Sequence, residues 1–469
     1  MENFDYIILG AGPSGLTAAY CLAKAGKTIL VVDRNSRPGG LSMSYSIEVN
    51  NQQHIFDTGP KRFHTDDPIV IEFLHEVLEM DVIGRSTEVY FHNKYYTWPL
   101  NFLSLFKFPI FLALKSFADL LFRKKYGKLD QKMFENYIKF RYGKTLYGVF
   151  FKPYTEKFLK WPVTDIHSDW ASTGINRTVI DSRIKSESLI GLLKNSLLPN
   201  KIETEFLYPK EKGFGHFFDV LYQLCLKTNQ CKFLFDSEIE NIDKQDSSLN
   251  LRIKSENFLA TKGLVWSGNL NNLLDLIKNN PKIDSSSSPK LNYLNTIFYN
   301  FIFKKEHVLH KKAQWLYVSD GDVLICRITC MEEFSKTTTP EGFYNFIVEV
   351  TDSQSQPVHF ENAENLSDKI IEELKSMKFI SHTAQPIVTK IIPIKDTYPI
   401  YSMNYKEIFN GAHKQVKEFS KNIHLIGRSG AFWYNNSDHS IRMAIEFANR
   451  QNKNSQNDFD HRSYFGGSH

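Results

Sequence analysis

Asp5-Tyr-Ile-Ile-Leu-Gly10 is a short continuous apolar run, the pattern of a strand buried on both faces. Ala11-Gly12-Pro13-Ser14-Gly15 follows, and Leu16 to Lys24 then takes helical spacing. Thr28 to Val32 is a second apolar strand that ends at Asp33. Farther along, Lys232 to Ile239 reads as a returning strand, Leu249–Ile253 with Phe258–Leu259 as a hairpin, and Gly263 to Gly268 as a last buried strand. Ile423-His-Leu-Ile-Gly427-Arg428 reads as a strand entering a helix near Ser440 to Asn449. Between these pieces, residues 76–205 read as mainly helical, and residues 276–420 hold strand-like runs such as Gly342 to Val350.

This order predicts an α/β fold: a Rossmann-type nucleotide-binding domain, discontinuous over 1–75, 206–275 and 421–450. An inserted helical domain (76–205) and an inserted antiparallel β-sheet domain (276–420) form an α+β substrate region. Asp284 to Pro289 is a flexible loop, and residues 451–469 are a loose polar tail. At 469 residues the chain is too long for one typical core, so two or three lobes are expected.

The first strand, turn and helix carry a ligand signal. Gly10 permits the tight turn, Gly12 lets backbone approach a pyrophosphate, and Gly15 lets helix pack on strand. Pro13 and Ser14 open a helix whose N-terminal N–H groups face phosphate. Asp33, eighteen positions beyond Gly15, can accept hydrogen bonds from an adenosine ribose. Arg34-Asn-Ser-Arg37-Pro-Gly39-Gly40-Leu41-Ser42 supplies a second glycine pair, which would let backbone run along the pyrophosphate of FAD. This resembles the second fingerprint of the FAD superfamily that holds amine oxidases, protoporphyrinogen oxidases and UDP-galactopyranose mutases. FAD is therefore expected over NAD, with Ile239 beside its adenine as the resemblance implies.

Composition narrows the setting. A net charge of +5 is too mild to argue for nucleic acid. Five cysteines with no CxxC spacing read as reduced thiols in a cytoplasmic protein, and no signal peptide precedes Tyr6. No metal site is expected. Leu100 to Phe122 is apolar but broken by Lys107, Pro109, Lys115 and Asp119, so membrane association is not expected from it. It reads as a buried or lid-forming helical hairpin, with a monotopic surface helix followed by Arg123-Lys124-Lys125 left open.

Five further segments carry a closer likeness. They are Asp57-Thr-Gly59-Pro60-Lys61-Arg62-Phe63-His64-Thr65; Lys94-Tyr-Tyr-Thr-Trp98-Pro99; Leu146 to Lys157, with Phe150 and Tyr154; Tyr398-Pro399; and Gly427-Arg428 through Trp433-Tyr434-Asn-Asn436-Ser437-Asp438-His439. Together they resemble the UDP-galactopyranose mutases and their relatives, over nearly the whole chain. The resemblance implies that Gly59, Pro60, Gly427, Arg428, Asn436, Ser437 and Ser440 contact FAD, and that Phe63, His64 and Trp98 face substrate. It implies that Tyr154 stacks on uracil with Phe150 one turn before it, and that Tyr398 and Tyr434 hydrogen-bond the diphosphate. It assigns Arg327 and, beyond the Tyr-Thr-Glu-Lys stretch, Arg177 as the pair that clamps the diphosphate; forked guanidinium donors suit phosphate oxygens. Lys61 replaces the mutase loop histidine, Leu159 stands where a tryptophan is expected, and Asn435-Asn436 replaces Tyr-Asp. The diphosphate apparatus is better kept than the sugar apparatus.

The resemblance implies an FAD-dependent mutase or isomerase of a nucleotide-diphosphate sugar whose sugar need not be galactose. Reduced flavin N5 would attack the anomeric carbon, and an external reductant such as NAD(P)H would keep the flavin reduced. A net-redox oxidoreductase of amine oxidase or protoporphyrinogen oxidase type is the alternative. The oligomeric state is left open.

Overall fold

The structure, a computed structural model, describes residues 2–97, 110–171, 205–278 and 289–453. Two seven-stranded sheets organise it. In the first, the strands run in the order Ile239–Gln245, Ser248–Ile253, Glu256–Trp266, Glu2–Leu9, Ile29–Val32 and Cys231–Leu234, with Ile423–Leu425 alongside Glu256–Trp266. Glu2–Leu9 and its neighbours pair in parallel. Ile29–Val32 is wholly buried, which is why it reads as an uninterrupted apolar run. One face of this sheet is covered by the helices Pro13–Lys24, His216–Lys227 and Ser437–Asn452 through Leu16, Ala19, Phe217, Leu221, Ala444 and Phe447.

Two strand expectations are corrected here. Lys232–Ile239 is not one strand: it breaks after Leu234 and resumes at Ile239, with Asp236 in the left-handed region at φ 50°. The break is held by Asp236 N donating to Asn35 O and Ser237 N to Asp33 O. The expected hairpin arm and last strand are instead a single eleven-residue strand, Glu256–Trp266. It is antiparallel to Ser248–Ile253 and parallel to Glu2–Leu9, with a register shift between Phe4 and Tyr6.

The second sheet runs Val388–Pro399, Tyr293–Lys304, Phe343–Ser353, Arg327–Cys330, Trp315–Val318, Thr87–Phe91 and Lys94–Thr97. The last two strands come from the segment expected to be helical. His92 and Asn93 both take positive φ and join them by a two-residue turn, the geometry that matches strand twist. Met80–Gly84, also in that segment, pairs with Glu205–Pro209. Helices there are Ile110–Leu121, Phe134–Tyr142 and Lys152–Leu159. No described helix is long and apolar enough to cross a membrane.

Lys157 ties the helix Lys152–Leu159 to the second sheet. Its ammonium is buried and donates to the carbonyls of Val318, Asp320 and Ile325 at 2.7, 2.7 and 2.9 Å. A buried charge persists only with such compensation.

Candidate functional site

The glycine turn, the second glycine pair and the break at Phe235–Glu238 converge on one cavity of about 960 Å³. Gly10, Gly12, Pro13, Ser14, Asp33, Arg34, Gly40, Leu41, Ile239, Arg428, Asn436, Ser437 and Ser440 line it, and so does Lys61. The helix Pro13–Lys24 starts at its wall with no side-chain cap and no acid in its first turn, so its N–H groups and dipole are available to an anion. Gly12 and Gly40 face one another: a Cβ on Gly40 would meet the Gly12 Cα at 3.1 Å. This narrow backbone channel, an uncapped helix start and an acid at the far end fit a dinucleotide.

The remaining glycines and Pro60 do not line the cavity but shape it. Gly39 has φ 109° and donates its N–H to Ala11 O, closing the second glycine turn onto the first. Gly427, at φ 74°, abuts the Ser14 side chain, where a Cβ would lie 2.5 Å from Oγ. Pro60 O accepts from Arg62 Nη1 at 3.3 Å.

Asp33 is buried. One carboxylate oxygen accepts from Ala11 N at 2.6 Å and the other from Asn35 N at 2.8 Å. Burial pushes its pKa up, against the pull of these two amides. It therefore braces the glycine turn as well as facing the cavity. Asp33→Ala should purify with markedly less bound dinucleotide, read from the visible spectrum and released nucleotide per chain; full occupancy would sink the assignment.

On the second sheet, register sets five residues in one row. Tyr317 lies opposite Arg327, Arg327 opposite Glu349, Glu349 opposite Phe298 and Phe298 opposite Ile392. Ile392 belongs to the cavity wall. Gly59, at φ 85°, sits on this row: a Cβ there would be 2.8 Å from Glu349 Oε1 and 3.4 Å from the Phe298 ring. The Gly59–Lys61 loop thus joins this cavity to the row.

Arg327 donates Nε and Nη2 to the fully buried Glu349 at 2.7 and 2.5 Å, and Nη2 to Tyr398 Oη at 3.2 Å. Burial is the largest single influence and opposes its charge, but Glu349, Tyr398 and Tyr317 together outweigh it and the guanidinium pKa is raised. Arg428 donates to Asn435 O and Thr397 O, and its plane lies 4.9 Å from the Tyr398 ring and 5.6 Å from that of Tyr434. Tyr154 stacks on Phe158 of its own helix at 5.9 Å and on Phe150, just before that helix, at 6.5 Å, and Tyr317 meets Tyr154 edge-on. Lys61 has its pKa lowered to about 7, first by burial and then by Arg428, with Glu349 opposing.

Some assignments move. Phe63, expected to face substrate, lines neither this cavity nor the row. Its main chain pairs with Leu207, and its ring is buried against Phe214 and Phe217 at 4.6 and 4.9 Å. His64 lines a separate cleft of about 320 Å³ with Asp438, His439 and Arg442. Trp98 and Arg177 lie outside the described residues. Sequence reasoning missed Glu349, Tyr317 and the Ile392–Asp396 wall. Only Glu349 left a signal, as a lone acid inside Phe346-Ile-Val-Glu-Val350.

A family model described as an NAD(P)-binding Rossmann-like domain matches residues 8–77. In sequence the chain is similar to a "Probable UDP-galactopyranose mutase" of Klebsiella pneumoniae, 29% identical over 160 residues, 34% of this chain and 41% of that protein. The matched stretch thus spans less than half of that curated relative's length. In fold it is similar to a reduced UDP-galactopyranose mutase, with a TM-score of 0.77 at 20% identity, covering 98% of this chain and 96% of the other. Putrescine oxidase bound to putrescine shares the fold more distantly, with a TM-score of 0.58 at 12% identity over 96% and 99% of the two chains.

Proposed function

We propose that this chain, similar in sequence and fold to UDP-galactopyranose mutases, is an FAD-dependent mutase or isomerase of a nucleotide-diphosphate sugar. The supporting observation is the row Tyr317–Arg327–Glu349 beside the dinucleotide cavity, with the Tyr398 hydroxyl on Arg327 and the Phe150–Tyr154 stack adjoining. A second nucleotide needs such a set: a flat aromatic ledge for a base and a fixed cation for its diphosphate.

Bound FAD, when reduced, supplies the nucleophile for the anomeric carbon. The residues of this chain supply position and charge. Glu349 fixes Arg327 by two hydrogen bonds, so the guanidinium meets the diphosphate without reorganising. It can hold that group both as it leaves and as it returns. Arg428 is fixed by carbonyls and carries a cation between the two tyrosine rings and the cavity. Lys61, at the junction, titrates near neutrality and adds a switchable positive charge.

That switch has a sign. An incoming diphosphate favours protonated Lys61, so binding takes up a proton above its free pKa of about 7. Nucleotide-sugar affinity should then fall as pH rises through 7, by up to about tenfold per unit. Titration calorimetry in buffers of different ionisation heat checks the uptake, and Lys61→Met should flatten the profile. An unchanged slope in that variant would remove Lys61 from the site.

The decisive assay is anaerobic. The protein is reduced with dithionite and offered UDP-, dTDP- and GDP-sugars, and products are separated and weighed. An equal-mass product formed only with reduced flavin is expected. Flavin reduction by a substrate of the oxidised protein, with no isomer formed, would favour the net-redox reading.

A further inference from the structure

The stretch 110–144 is set apart by its charge. It holds nine basic and three acidic side chains, a net of +6, while the whole chain sums to +5, so the rest carries −1. Its three acids are engaged. Asp119 accepts the Thr145 amide, Asp130 accepts the Lys132 amide, and Glu135 pairs with Lys139.

Exposed apolar surface gathers in the same place. Of twelve large apolar side chains exposed among the described residues, six lie between Phe111 and Phe140. On the helix Ile110–Leu121 the exposed positions Phe111, Leu114, Lys115, Ala118 and Leu121 share one face. Phe111 is 76% exposed, and Phe122, just beyond the helix, 68%. The following turn, Arg123–Lys128, carries exposed Lys125 and Lys128. Leu112 of this helix packs inward on Val89, Phe91 and Tyr96, yet the helix also presents an apolar face to solvent, with cations beside it.

We propose that this face docks on an anionic membrane surface. Phe111, Leu114, Leu121 and Phe122 enter the boundary between headgroups and acyl chains, and Lys115, Lys125 and Lys128 meet lipid phosphates. The contact is interfacial and needs no spanning helix; it is the monotopic alternative that the sequence leaves open. The charge excess favours a lipid surface over a second copy of the chain. A two-fold contact sets the patch against itself, and the engaged acids offer no counter-charge.

The test is flotation of the full chain with phosphatidylcholine vesicles, with and without ~30 mol % phosphatidylglycerol. Co-flotation with the anionic vesicles alone is expected, weakened by salt. F111S combined with L114S should lower the bound fraction roughly tenfold, and K125E combined with K128E should do likewise. All four side chains are exposed, so circular dichroism and melting temperature should not move. Failure of the unmodified chain to float with anionic vesicles overturns the proposal. So does light scattering that shows a lipid-free dimer which F111S with L114S dissociates.

Discussion

Arg327→Met should lose nucleotide-sugar binding by on the order of 2–5 kcal/mol while retaining the dinucleotide. It should also melt early, because Glu349 is fully buried and Arg327 is the cation that compensates it. Breaking a buried pair from one side costs ~3–5 kcal/mol, whereas replacing both members costs far less. The two effects can therefore be separated. Glu349→Gln combined with Arg327→Met should recover most of the melting temperature and none of the binding. If the double variant binds as tightly as the unmodified protein, Arg327 is a structural ion pair and the diphosphate assignment fails. Calorimetry with a UDP-sugar and thermal unfolding, run on both variants, decide between these outcomes.

Gly15→Ala should give a colourless protein, or none that folds. A Cβ at this position would stand 1.7 Å from Gly10 O and 2.9 Å from the Gly10 carbonyl carbon. Both are backbone atoms of the turn that lines the cavity, so no side chain can rotate away. The helix Pro13–Lys24 would have to lift off the strand Glu2–Leu9, taking the uncapped N–H groups with it. Gly26→Ala is the control: it has a positive φ but nothing within 4 Å, and it lies after the helix. Its effect should be a modest stability loss of about 1 kcal/mol with full cofactor content. Equal loss of bound dinucleotide in both variants would count against the packing argument.

What the chain disclosed in advance follows from how local each signal is. Asp5 to Asp33 is a contiguous strand, turn, helix and strand, each piece with its own spacing, so the cavity end they build was legible. The Thr87–Thr97 hairpin was not, because its partner Trp315–Val318 lies more than two hundred residues away. The burial of Phe63 was not legible for a related reason. Its motif sets it in a loop next to Lys61, but pairing with Leu207 turns it into the Phe214–Phe217 cage. Glu349 shows the limit most clearly. Within its own strand it is one acid among apolar neighbours, and its meaning appears only when register places Arg327 opposite it.

The ammonium of Lys157 has a bearing on redesign. Because it holds three carbonyls of the Val318–Ile325 segment, which joins the strand Trp315–Val318 to the strand Arg327–Cys330, the helix that bears Tyr154 and the strand that bears Arg327 form a single mechanical part. A graft that imports the helix from a relative without the Val318–Ile325 segment would strand a buried cation. One that imports the segment alone would strand its carbonyls. Altering which base or sugar is accepted is therefore a matter of point changes on a fixed frame, or of exchanging both pieces together.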